Sequence, residues 1–321
     1  MPTEQESQGW LQSVLEGGLP QIIAGPAGKA ISRLIGAGVE IPAAWLEQKA
    51  QAIQDETKAR SMVMEALAAK SAELGLSDPG LLDRGLNNLL GKAYREQINR
   101  EAIAKKAIEY LADDPPLGQS PGPSDDWIDM FEGYAARATS ENMRDLFARV
   151  LSGEIRKPGH FSPATLHFVS VLDGPTAKLI EEALPWCINC EYVLKDAVGD
   201  SIIYGQWLVL EEAGFVTFAG GTLSRSVKPN EQKFVFFRMG RKGVLVQFPD
   251  TNERNPKAVK LTKAGEELAA TIPVTFEFER VAKWFWGFGA EQVLLVDVMK
   301  DNEGKDVLSG PYVHVAKPSS D

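Results

Sequence analysis

The sequence predicts an α+β protein, with a mainly helical N-terminal bundle and helical core followed by a mixed C-terminal part. Three observations lead there. Residues 140–172, "SENMRDLFARVLSGEIRKPGHFSPATLHFVSVL", place Met143, Leu146, Phe147, Val150, Leu151 and Ile155 at helical spacing, which makes one broad apolar face. Upstream, residues 42–111 are rich in alanine with leucines at helical intervals. Downstream, "KFVFFRM", "VLVQF" and "AVKLT" are short β-branched and aromatic runs that suit strands.

In chain order, residues 8–40 begin with a short amphipathic piece around Trp10, Leu11 and Val14. Next comes a small-residue segment in which Ala24, Gly28, Ser32 and Gly36 recur every four residues. On a helix they form a smooth stripe that admits a neighbouring backbone. One reading is close packing on another helix or a second subunit. The other is a membrane contact by residues 20–41, with Ile31, Leu34, Ile35 and Val39 on the apolar side.

Pro42 opens a helix expected to reach Leu74, with Leu46, Ile53, Leu67 and Leu74 on a seven-residue repeat. The Ser77-Asp78-Pro79-Gly80 turn starts another, to about Leu111, with Leu82, Leu86, Leu89, Ala93, Ala107, Ile108 and Leu111 expected inward. Residues 113–124, "DDPPLGQSPGPS", form a linker, because four prolines with Gly and Ser exclude a helix or central strand. Ser124 caps a helix that turns Trp127, Phe131, Tyr134 and Ala138 to the core.

Ser140 caps the next helix, which should stop at Lys157 before Pro158, with Gly159 permitting the bend. Ser162-Pro163 restarts a helix carrying Leu166, Phe168, Val169, Val171 and Leu172, expected to be buried on nearly all sides. A further helix with Ala177, Ile180 and Leu184 ends before Pro185. "SIIYGQWLVLEEAGFVTF" reads as a helix stopped by Gly214 and then a strand, and Thr262 caps "KAGEELAAT". "FERVAKWFWGFG" and "EQVLLVDVMK" repeat helix and strand before the polar tail "AKPSSD".

The expected organisation is residues 1–112 as a long-helix bundle and oligomerisation region and 113–124 as linker. Residues 125–272 hold the core block and mixed part, and 273–321 a helix–strand extension with its tail.

Composition narrows the function classes. A net charge of −10 argues against a general nucleic-acid coat, whose phosphate contacts need a basic surface. "MPTEQESQGW" is neither a secretory signal nor a basic transit peptide, and Lys29, Arg33 and Glu40 interrupt the best apolar run. Two cysteines make no disulfide framework, so a reduced, cytoplasmic protein is expected.

"LEEAGFV" ahead of a two-stranded segment, with "LTKAGEEL" entering the next helix, resembles a winged-helix domain over roughly residues 163–272. Such domains often bind DNA with a helix in the major groove and the wing on the backbone. Here the corresponding helix, Ser201 to Ala213, has no Lys or Arg and ends with Glu211 and Glu212. The wing is basic: Arg225, Lys228, Lys233, Arg238, Arg241 and Lys242 stand against Glu231. These six are the candidate phosphate contacts, and a solvated or protein-binding hairpin is the alternative.

Cys187 and Cys190 form one C-x-x-C, but the preceding helix and Pro185 are not the strand that a thioredoxin-like site requires. His160, His167 and His314 are too scattered to complete a zinc site, so structural thiols are expected. Glu154 shares the face of Phe147 and Leu151. It suits either a buried acid or, more simply, an acceptor for free N–H groups of the turn "KPGHFS".

Trp127, Phe131, Leu146 through Glu154, Pro158-Gly159, Ser162 and Thr165-Leu166 make residues 125–172 similar to a bacterial domain of unknown function. More distantly, the block resembles the abortive-infection alpha proteins. That resemblance implies a setting in phage defence and supplies no catalytic residues. The reading is a non-enzymatic interaction protein without cofactor or metal, self-associating through its N-terminal helices as a homo-oligomer with a further protein partner. A nucleic-acid-binding regulator and a membrane-perturbing effector are the alternatives.

Overall fold

The computed structural model describes residues 26–35, 79–116, 121–217, 224–240, 242–272, 274–275, 277–300 and 306–318. The architecture is α+β: helices with two antiparallel four-stranded sheets. The chain divides into two compact units, Met1–Leu166 and His167–Asp321.

The first unit holds α1 (Pro26–Leu34), α2 (Pro79–Asp113), α3 (Asp125–Ala135) and α4 (Glu141–Arg156). Helix α3 starts where Ser124 Oγ accepts the N–H of Trp127, and α4 where Ser140 Oγ accepts that of Met143. At the far end of α4, the Arg156 guanidinium donates to the carbonyls of Tyr110 and Asp114. Those carbonyls lie at the C-terminal end of α2, where that of Tyr110 also accepts from Asp114 N. The centre is aromatic: Phe131 stacks on Trp127 at 5.0 Å and meets Phe147 edge-on at 5.6 Å. Trp127 Nε1 donates to the Phe161 carbonyl at 2.8 Å, so the indole is buried without losing its hydrogen bond.

Between α4 and the next helix, α5 (Pro163–Val171), the chain turns through Pro158-Gly159. Gly159 takes φ +80°, a value that a side chain would oppose. Helix α5 runs across the unit boundary in sequence.

Two expectations need correction. Along α2, Ala107 and Leu111 are fully buried, but Leu89 and Ala93 are exposed. The described helices cover α2 only from about Asn99 onward, so its earlier turns have an uncovered apolar row; Leu82 and Leu86 are outside the described side chains. On α5, Leu166, Phe168 and Val169 are buried but Val171, the last helical residue, faces outward. The helix expected over 42–74 lies outside the described residues.

The second unit contains α6 (Gly174–Ala183), α7 (Lys195–Val198), α8 (Tyr204–Glu212), α9 (Lys263–Ala269) and α10 (Phe278–Gly287). Its first sheet comprises β1 (Cys187–Ile188), β2 (Tyr192–Leu194), β3 (Val216–Thr217) and β6 (Ala258–Leu261), in the order β1-β2-β6-β3. The second comprises β4 (Phe234–Met239), β5 (Lys242–Gln247), β7 (Gln292–Lys300) and β8 (Asp306–His314), in chain order.

Helix α6 packs against α8, and α10 lies on β5 and β7, where Phe285 stacks on Phe237 at 4.6 Å. Thr262 locks α9 to the end of α8. Its hydroxyl donates to the Gly214 carbonyl at 2.6 Å and accepts from Gly265 N at 3.1 Å. Gly265 has to be glycine for space, since an added Cβ would lie 2.4 Å from the Phe215 carbonyl oxygen.

The hairpin expected as the wing, β4–β5, continues into the second sheet. Strand β5 pairs along its length with β7, and Phe237, Met239, Val244 and Val246 are buried. Both strand faces carry apolar residues, which suits an interior strand better than a solvated tip.

Candidate functional site

Five of the six basic candidates fall among the described residues, each in its own surroundings. Arg225 stacks on the Tyr192 ring at 4.4 Å and faces Glu191 at 3.5 Å. Lys233 donates to the Pro249 carbonyl at 2.7 Å, and Arg238 Nε to that of Gly240 at 2.9 Å. Lys242 stands 5.9 Å from the Phe278 ring, Lys228 is exposed, and Arg241 lies outside the described residues. Arg238 also meets the β1–β2 turn through its backbone, its N–H donating to Asn189 Oδ1 and its carbonyl accepting from Asn189 N.

Of the small-residue stripe, Gly28 and Ser32 lie buried on α1; Ala24 and Gly36 are outside the described residues. Ile31, Leu34 and Ile35 are buried with them, and α1 packs on α2, α3 and α4. Arg33 leaves this core to meet Asp125, Asp129 and Glu132 on α3. Burial raises the Glu132 carboxyl above its ordinary range, with Arg33 opposing. No described helix is long and apolar enough to cross a membrane.

Glu154 is 1% exposed and accepts from two turn amides, Gly159 N at 2.6 Å and Phe161 N at 2.8 Å. Its carboxylate therefore holds the bend between α4 and α5 shut. His160 sits edge-on to Phe161 at 4.7 Å. Cys187 is buried and Cys190 half-buried, both as free thiols. Burial pushes both thiols above their ordinary range, which lowers the thiolate fraction that nucleophilic or redox chemistry needs. Among the described residues no group of three or more His, Cys, Asp or Glu could hold a metal.

The sequence reading missed a polar cluster between α2 and α4. Asp145 accepts from Tyr110 at 2.5 Å, Arg149 at 2.9 Å and Lys106 at 3.4 Å, and Arg149 covers the Tyr110 ring at 4.3 Å. Lys106 also reaches Glu141 at 2.7 Å. Burial pushes the Asp145 carboxyl up, but the bonds from Tyr110 and Arg149 outweigh it and hold the group below its ordinary value. Each charge here has an opposite partner, so the cluster joins two helices.

Among the described residues, exposed apolar side chains gather on α2 and α8 as well as on β7 and β8. On α2, Leu90, Tyr94 and Ile98 form one row at four-residue spacing beside Leu89, with Leu89 63% and Tyr94 64% exposed. On the second unit, Ile203, Tyr204 and Val209 are exposed at and along α8. There a cavity of about 400 Å³ opens beside Tyr204, between α7 and α8.

Residues 83–197, a little over a third of the chain, match a family model described as "Protein of unknown function (DUF2806)". That span contains α4, its bend and the polar cluster. No curated protein and no solved structure matches the chain.

Proposed function

We propose that this chain is a non-enzymatic interaction protein that self-associates through the N-terminal half of α2. The observation that carries the reading is the exposed row Leu89, Leu90, Tyr94 and Ile98 on a helix whose later turns bury Ile103, Ala107 and Leu111. An i, i+4 ridge of this kind packs into the groove of a second helix, and large apolar side chains left together in water favour such a partner. The Lys92–Glu96 and Arg100–Glu96 pairs border the row and keep its flank soluble. Light scattering with size-exclusion chromatography should give a multiple of the 35.0 kDa chain mass, and Leu90→Glu with Tyr94→Glu should return the monomer. A wild-type monomer, or a variant assembly of unchanged mass, overturns the proposal.

Phage defence enters through the likeness to abortive-infection alpha proteins. Plating efficiency of phage on cells with and without the chain tests it, and unchanged plating across a broad phage panel counts against it.

A nucleic-acid role is the second reading, and the element order α6, β2, α7, α8, β3, β6 favours it. With β6 between β2 and β3, the order suits a winged helix in which α8 occupies the recognition position. The charges weigh the other way. Helix α8 has no Lys or Arg, and Arg225 is engaged by Glu191 and Tyr192. The membrane alternative draws no support from α1, whose apolar side chains are buried.

A further inference from the structure

We infer that α8 and the loop before it dock a basic peptide segment of another protein, with a Lys or Arg beside an apolar residue. Ile203 is 61% and Tyr204 59% exposed at the start of the helix, and Val209 is exposed one turn and a half further on. Large side chains standing in water there contrast with Ile202 and Trp207, which are fully buried and form the floor of the adjoining cavity. An apolar floor of this kind accepts the methylene stem of a long cationic side chain.

The rim sets the sign of the partner. Asp196 and Asp200 line the cavity, and Asp200 is exposed. Exposed Glu212 lies on α8, and exposed Glu181 and Glu182 on the adjacent α6. The cations nearby are fewer. Lys195 leans over the Tyr204 ring at 5.7 Å, Lys178 is exposed on α6, and Lys257 stands 4.0 Å from Asp196. An acidic border around exposed aliphatic and aromatic side chains repels phosphates and attracts a basic polypeptide. The favoured occupant is therefore a basic protein segment, with Tyr204 and Ile203 as the anchors.

The test is selection from a displayed random dodecamer library on the immobilised full chain, read by sequencing. The same selection is run on Ile203→Ser with Tyr204→Ser, and separately on Asp196→Asn with Asp200→Asn. All these side chains are exposed, and circular dichroism checks that each variant folds. The expected result is enrichment of sequences that pair Lys or Arg with Leu, Ile or an aromatic residue. A synthetic peptide of the winning sequence should bind wild type at least about tenfold more tightly than either variant, and more weakly as salt rises. Four outcomes overturn the inference: no enrichment over the variants, an acidic or uncharged consensus, a consensus kept by both variants, or duplex DNA bound through Tyr204 in preference to peptide.

Discussion

Replacing Glu154 by glutamine keeps the shape of the side chain and alters only its charge and one acceptor. In the native turn the two carboxylate oxygens accept separately, from Gly159 N at 2.6 Å and Phe161 N at 2.8 Å. Glutamine offers one oxygen, and its NH₂ then faces a backbone N–H, donor against donor. A hydrogen bond to a charged acceptor contributes about 1.5–3 kcal/mol. Losing one, and weakening the other from charged to neutral, should cost about 2–4 kcal/mol. Alanine removes both acceptors and should cost about 2–6 kcal/mol, because two backbone N–H groups of the turn lose their partners.

Urea unfolding followed by far-ultraviolet circular dichroism gives the change in midpoint and slope. Hydrogen exchange at the Gly159 and Phe161 amides locates it, and both should lose protection in the variants. A glutamine variant within about 0.5 kcal/mol of wild type, the range of ordinary surface substitutions, would refute the argument that this carboxylate closes the bend.

Two further outcomes follow from the packing. Asp145→Asn should destabilise the chain by about 1–2 kcal/mol at neutral pH, allowing for partial exposure. Because the folded carboxyl titrates below its ordinary value of 3.8, its contribution is present above that pH and disappears as acid protonates the folded form. The gap between wild-type and variant urea midpoints should therefore narrow steadily as pH falls below 3.8, and a gap that does not narrow contradicts the assignment. Gly265→Ala must push the new methyl away from the Phe215 carbonyl oxygen, a backbone atom that cannot rotate aside. A thermal melt should show a loss of about 2–3 kcal/mol, in the range of overpacked sites, and an unchanged melting temperature would show that β3 yields freely.

Much of the first unit was legible because its signals are local. Ser124 and Ser140 cap the helices they precede, and Pro158-Gly159 ends α4 where backbone sterics require. Glu154 could be placed on the buried face from spacing alone, and the turn amides were its nearest donors. The Asp145 cluster was not legible, since Tyr110 and Asp145 are brought together only by the packing of α2 on α4. Strands β1, β2 and β8 escaped notice for different reasons. β1 and β2 have two and three residues, too few for a periodic signal, and β8 contains Gly310-Pro311, residue types that strands disfavour. Leu89 and Ala93 looked like core because apolar residues at helical spacing carry the same pattern whether or not a neighbour covers them. Which partners the basic residues of 225–242 meet was not legible, because the β4–β5 pairing and the β1–β2 turn that Arg225 and Arg238 touch come together only in the fold.

The position of β6 has a consequence for synthesis. This strand lies between β2 and β3 and supplies the backbone partners of both, yet it is made after β1 to β5 have been translated. While a ribosome is still extending the chain toward Ala258, β2 and β3 have open edges, and no local hairpin can close the first sheet for them. Maturation of that sheet therefore waits on a late arrival, and a nascent polypeptide halted before Leu261 would keep sticky borders for chaperones or proteases to recognise.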